Sequence, residues 1–170
     1  MKHTLFLLLI LAFGFVSTIH AQDDKSKRPS PPATATAVAG GKTITIDYSQ
    51  PSVKGRKIWG GLVPYGEVWR TGANETTTFE VSDDVELNGQ KLAKGKYALF
   101  TIPGEREWTI IINKTIAWGA YSYKEKDDVL RVKATPKPSA EFHEKFTIQI
   151  SDAGVVSLLW ENLQVDFTVK

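Results

Sequence analysis

Cysteine does not occur anywhere in the 170 residues. Its absence excludes a disulfide framework, a thiol nucleophile and lipid attachment through an N-terminal cysteine. Histidine is scarce: His3 and His20 fall in the leading 21 residues, which leaves His143 alone in the body of the chain. A Ser-His-Asp system needs an imidazole beside its nucleophile, and a zinc site needs several nitrogen or sulfur donors. His143 sits in AEFHEKF beside Glu141, Glu144 and Lys145 and reads as a surface histidine. Charge of one sign is also lacking. The formal net is +2, so the electrostatic footprint of a nucleic-acid binder is missing. No GxxxxGKS or GxxxxGKT stretch exists, and Gly60-Gly61 precedes no helix that could turn its N-terminus to phosphate. The pairs Asp83-Asp84 and Asp127-Asp128 lack the spaced ligand pattern of a calcium loop. Neither a metal nor a cofactor is expected.

Long apolar runs are missing too, with one exception. Leu5 to Val16, relieved only by Ala12 and Gly14, follows Lys2 and His3 and falls short of the roughly twenty residues that span a bilayer. With Ala21 as the cleavage point before Gln22, residues 1–21 read as a signal peptide. The expected location is the periplasm or the extracellular space, with no membrane span after cleavage. Removing residues 1–21 takes away one lysine and no carboxylate, which lowers the formal charge from +2 to +1. Residues 22–34, QDDKSKRPSPPAT, are polar and proline-containing and read as a short flexible tether. Residues 35–170 suffice for one domain with a sizeable core and not for two.

What that domain has in abundance is alternation with a period of two. In Lys42 to Ser49, Ile44, Ile46 and Tyr48 share one face, and Gly40-Gly41 before it signals a hairpin with the Ala/Thr-rich strand upstream. Thr76 to Ser82 alternates again, and Asn88-Gly89 marks a tight hairpin between Val85–Leu87 and Gln90–Leu92. Lys96 to Ile102 and Trp108 to Ile112 are apolar on both faces, as strands in the middle of a covered sheet are. Val129–Thr135, Lys145–Ser151, Val155–Trp160 and Leu163–Val169 are one-sided. About nine or ten short strands without a long amphipathic helix predict an all-β fold, an antiparallel β-sandwich of jelly-roll type, with a closed β-barrel as the alternative.

Two stretches break the alternation. Gly55 to Glu75, GRKIWGGLVPYGEVWRTGANE, sets Trp59, Tyr65 and Trp69 among six glycine and proline breaks and closes on Arg70, Asn74 and Glu75. Those breaks forbid a regular strand or a long helix, while the aromatics argue for an ordered segment laid on a scaffold. Asn113 to Asp128 carries Trp118, Tyr121 and Tyr123 around Gly119.

The blocks WGGLVPYGEVWRTGANE, GKYALFTIP, EWTIIIN, WGAYSY, DDVLRV and LLWENLQVDFTV together resemble an exported bacterial family catalogued as domain of unknown function 2911. The resemblance runs from about Lys42 to Val169, with Trp69 to Glu75 as its most specific part. It implies an exported, mostly β domain with no established activity.

Three functions use the same residues differently. In the first, Trp59, Tyr65, Trp69, Trp118 and Tyr121 present flat apolar faces to a small polar or sugar-like ligand or an envelope partner. Arg70 clamps a carboxylate or phosphate, and Asn74 and Glu75 read hydroxyls or amines. In the second, Glu75 works with Glu67 or Glu161 as a glycoside-type hydrolase, which needs carboxyls roughly 5–9.5 Å apart. In the third, the tryptophans plug an open end of the sandwich, Arg70 pairs with Glu75 or Glu67, and the protein is a purely structural envelope component. The non-catalytic binding module is the expectation carried forward.

Overall fold

A computed structural model describes residues 24–170. The signal-peptide reading of residues 1–21 and the first two residues of the tether lie outside the described residues. Ten strands follow in chain order: β1 Pro32–Ala39, β2 Lys42–Ser49, β3 Thr78–Val81, β4 Val85–Leu87, β5 Gln90–Leu92, β6 Gly95–Ile102, β7 Trp108–Asn113, β8 Asp128–Ala134, β9 Pro136–Ile150 and β10 Val155–Thr168. Among the described residues helical structure is confined to three single 3-10 turns, and no helix is long and apolar enough to cross a membrane.

The strands form two antiparallel layers, not a closed barrel. One layer is a six-stranded sheet in the order β1-β2-β3-β6-β7-β8. The other is the long β9–β10 hairpin, extended by the β4–β5 hairpin through Leu87, which bridges Val169 antiparallel. Paired main-chain bonds between Glu86 and Lys170, 2.7 and 3.0 Å, fix that junction. Alternation decides what lies between the layers. Ile44, Ile46, Phe79, Leu99, Ile110 and Ile112 from the first layer are buried there with Phe146, Leu158, Trp160 and Phe167 from the second. Tyr48 joins the layers directly: its hydroxyl accepts the main-chain N–H of Ile148 at 2.9 Å.

Turn chemistry sets the registers. Gly40 and Gly41 close β1 on β2 with Ala39 opposite Lys42, and Asn88-Gly89 closes β4 on β5. The two-sided strands β6 and β7 sit inside the larger sheet as expected. Their second face, Ala98, Phe100 and Ile111, is sealed by Val68 from the Gly55–Glu75 segment and by Tyr123 from the Asn113–Asp128 loop. Both irregular stretches therefore serve as covers for the outer face of the sheet.

The structure departs from the sequence reading at three places. β1 starts at Pro32, so the strand body begins ahead of the expected boundary at residue 35. β9 reaches back to Pro136, through Pro138, where alternation gave no signal; as the outer strand of its pair it can hold residues that donate no amide. The two strands expected at Val155–Trp160 and Leu163–Val169 are one strand, β10. Its continuity is disguised by a bulge at Glu161, which has φ +57° and shifts the register on both sides.

Candidate functional site

The Gly55–Glu75 segment belongs to the sheet at its far end. Trp69 exchanges main-chain bonds of 2.7 and 2.9 Å with Thr101 on β6, and Thr78 then pairs with Ala98. Eight residues, 70–77, thus stand opposite two, 99 and 100, and must leave the sheet plane. The excursion is tightly held. Thr71 is fully buried with φ +55°, an uncommon conformation for a β-branched residue, and Asn74 has φ +56°. The carbonyl of Thr71 accepts from the Thr77 hydroxyl at 2.8 Å, while its own hydroxyl donates to that of Thr101 at 3.1 Å. Such a conformation costs on the order of 1–3 kcal/mol and persists where the surroundings over-determine it, as binding sites often do.

The alternation that continues through Trp69 turns its indole inward. It stacks on Trp160 at 5.8 Å and 16° and meets Trp59, Phe146 and Trp108 edge to face at 5.9, 5.0 and 6.4 Å. The Trp69 Nε1–H donates to the Gly72 carbonyl at 3.1 Å, which ties the ring to the excursion. Trp59, Trp108 and Trp160 are buried, and their indole N–H groups find no acceptor among the described residues. Trp59, expected at the site, therefore stands in the core as the hub of the aromatic cluster.

A cavity of about 310 Å³ opens beside this cluster. Trp69 and Trp160 form part of its wall, with Leu62 and Val63 as aliphatic neighbours and Arg70, Arg56 and Asn74 as polar ones. Arg70 is half-buried. Its Nε has no hydrogen-bond partner, and no ion pair joins it to any described residue. Arg56 is held by its main-chain neighbours, donating from Nε to the Val53 carbonyl at 3.1 Å and from a terminal nitrogen to that of Ser52 at 2.5 Å.

Among the described residues Arg70 pairs with neither Glu75 nor Glu67, the pairing that the purely structural reading expects. Glu75 is taken by the N-terminal segment, with Arg28 at 2.9 Å and Lys25 at 3.0 Å on the same oxygen. Asn74 also faces that segment, donating from Nδ2 to the Ser30 carbonyl at 2.8 Å. The described part of the expected tether is thus bound to the site, and Ser30 lines the cavity. A hydrogen bond from its own main-chain amide, then those from Lys25 and Arg28, draw the Glu75 carboxyl down from its ordinary 4.5 to about 2.

That shift makes a prediction with a definite sign. A carboxyl with a depressed folded pKa contributes stability in full above about 4.5 and loses it as pH falls toward about 2. In a carbon-13 NMR titration, Glu75 is expected to remain ionised down to pH 3, and Arg28→Ala is expected to move its midpoint upward. A wild-type midpoint near 4.5 would show that the N-terminal segment is not held.

The remaining expected residues fall elsewhere. Tyr65 is 38 % exposed, and its ring closes over Gly60, where any Cβ would stand 2.9 Å from it. Burial, followed by Glu105 and Glu161, pushes its hydroxyl up. Trp118 and Tyr121 are 70 % and 97 % exposed and do not line the cavity. Their loop touches the excursion through Thr76, whose hydroxyl bonds the Ala117 carbonyl. It is anchored beneath by Tyr123, Asp128 and Arg131, with bonds of 2.6 to 2.8 Å among them. Burial and the Asp128 hydrogen bond push Tyr123 up to about 12. Glu75 lines a smaller neighbouring hollow of about 170 Å³ with Lys25, Asp47 and Tyr48, while Glu67 and Glu161 line neither. Among the described residues no three His, Asp or Glu side chains gather in a way that could hold a metal ion.

Sequence reasoning overlooked Arg56 and Trp160. Arg56 sits inside the singled-out segment, masked by its neighbours Gly55 and Lys57. Trp160 arrives from a distant strand, which no local pattern announces.

The fold and the site together define a class: an open two-layer β-sandwich in which the Gly55–Glu75 segment, with Trp160 from β10, walls a cavity lined by two arginines. The chain belongs to the family described as protein of unknown function (DUF2911), whose model matches residues 30–169. No curated protein matches it, and no solved structure does.

Proposed function

We propose that this chain is an exported, non-catalytic binding module of the bacterial cell envelope or its surroundings, and that its ligand site is the cavity beside Trp69 and Arg70. The observation that carries the reading is Arg70. A half-buried guanidinium with a partnerless Nε, in the lining of a hollow it shares with Trp69 and Trp160, is costly for stability alone and useful for recognition. The cavity volume falls at the small end of the range for small-molecule sites, about 300–1,000 Å³. A glycoside-type mechanism draws less support. A general acid needs a raised pKa, and Glu75 is held low by its own main-chain amide and by Lys25 and Arg28.

Thermal melting against a small-molecule library tests the proposal. A ligand at a hundred times its Kd adds about 2.7 kcal/mol of stability, and Arg70→Gln is expected to abolish that rise while melting close to the parent. If Arg70→Gln is severely destabilised and nothing in the library raises the melting point of the parent, the purely structural role takes its place.

A further inference from the structure

The charged side chains that line the cavity are of one sign. Two of the residues that line it carry a buried donor without a partner among the described residues, Arg70 at Nε and Trp160 at Nε1. Trp160 is only 1 % exposed, so solvent does not compensate it. Two nearby acceptors are already engaged, the Ser30 carbonyl by Asn74 and the Gly72 carbonyl by Trp69. None of the described residues lining the cavity is acidic, while two of them, Arg56 and Arg70, are cations. The acid that could have neutralised Arg70 is held by Lys25 and Arg28 instead.

Two guanidinium-bearing residues that line one hollow, Arg56 exposed and Arg70 half-buried, favour an anionic occupant over a neutral or cationic one. The planar fork of arginine matches carboxylate and phosphate oxygens. The rest of the wall asks for something other than a sugar. The Trp69 and Trp160 rings are stacked on each other, which leaves at most one face of each for a pyranose. Leu62 and Val63 add aliphatic surface and no hydrogen bonds.

From this we infer that the cavity recognises a small organic anion, a carboxylate or phosphate monoester carrying an apolar body, with Arg70 and Arg56 as the headgroup receptors and Trp69, Trp160, Leu62 and Val63 as the wall for its tail. The inference rests on the binding role proposed above and narrows it to a ligand class.

Isothermal titration calorimetry of the whole protein tests it, with a panel of aryl and alkyl carboxylates, phosphate monoesters, their uncharged amides and methyl esters, and neutral monosaccharides. At least one anion is expected to bind ten or more times tighter than its uncharged counterpart, on the order of one charge-assisted bond. Arg70→Gln is expected to weaken it on the order of a hundredfold, and Arg56→Gln by about tenfold. Should Arg70→Gln fail to fold, Arg56→Gln carries the comparison alone. Binding of either anion series under these conditions supports the assignment. Amides, esters or sugars that bind as tightly as the anions would overturn it while leaving the cavity a binding site. Anion binding unchanged in both variants would overturn it by placing the ligand elsewhere. A panel in which nothing binds would remove this inference together with the binding role.

Discussion

Replacing Trp59 by alanine is expected to cost about 3–5 kcal/mol of folding stability, the range for emptying a buried aromatic site. The melting temperature should fall on the order of 10–20 °C. Trp59 is 9 % exposed and meets three other indoles edge to face, Trp108 at 5.0 Å, Trp160 at 5.7 Å and Trp69 at 5.9 Å. Removing it opens a void that rigid rings cannot close, and edge-to-face pairs each contribute about 0.5–1.5 kcal/mol beyond burial. Trp118→Ala is the control. That side chain is exposed, and its loss should change stability by no more than about 0.5 kcal/mol. Urea unfolding of both variants checks the pair. Equal effects would mean that the indole cluster is not the core of the sandwich.

The second large effect is expected at Gly154, between β9 and β10. It has φ +75°, and a Cβ there would overlap the carbonyl oxygen of Val169, whose own N–H donates to the Gly154 carbonyl at 2.8 Å. Gly154→Ala therefore carries two penalties, about 1–2 kcal/mol for the left-handed conformation and about 1–3 kcal/mol for overpacking against backbone. Gly89→Ala separates them, because Gly89 has φ +82° and nothing within 4 Å of its would-be Cβ. Denaturant midpoints should show Gly89→Ala mildly destabilised and Gly154→Ala clearly more so. The displaced Val169 would also loosen the junction with β4, where Leu87 bridges it. Equal losses in the two variants would refute the close approach.

Much of this architecture is readable wherever the determining forces are local. Gly40-Gly41 and Asn88-Gly89 specify their hairpins because positive φ is a property of one or two residues. The buried strands β6 and β7 declare themselves because both of their faces are apolar. Legibility fails where partners come from far along the chain. Nothing in the letters around Glu75 says that Lys25 and Arg28 will reach it across nearly fifty residues, so its pairing with Arg70 looked equally reasonable. The same distance hides Trp160 from the cavity it helps to wall. Trp59 and Trp69 carry similar local signals, yet one becomes a core hub and the other a wall, because only the return of the chain to Thr101 fixes which way the second ring turns.

The crowding of four indoles, five of whose six pairs stand at centroid separations of 5.0 to 6.4 Å, also has an optical side. Transition dipoles this close couple, so the folded protein should display exciton-type bands in its near-ultraviolet dichroism that vanish on unfolding. The fifth indole, Trp118, is exposed and is expected to emit on its own at longer wavelength. Anything lodging against Trp69 and Trp160 perturbs the coupled quartet and leaves the lone emitter as an internal standard. Titration with the anions proposed above can thus be followed through the tryptophans themselves, with no dye to attach.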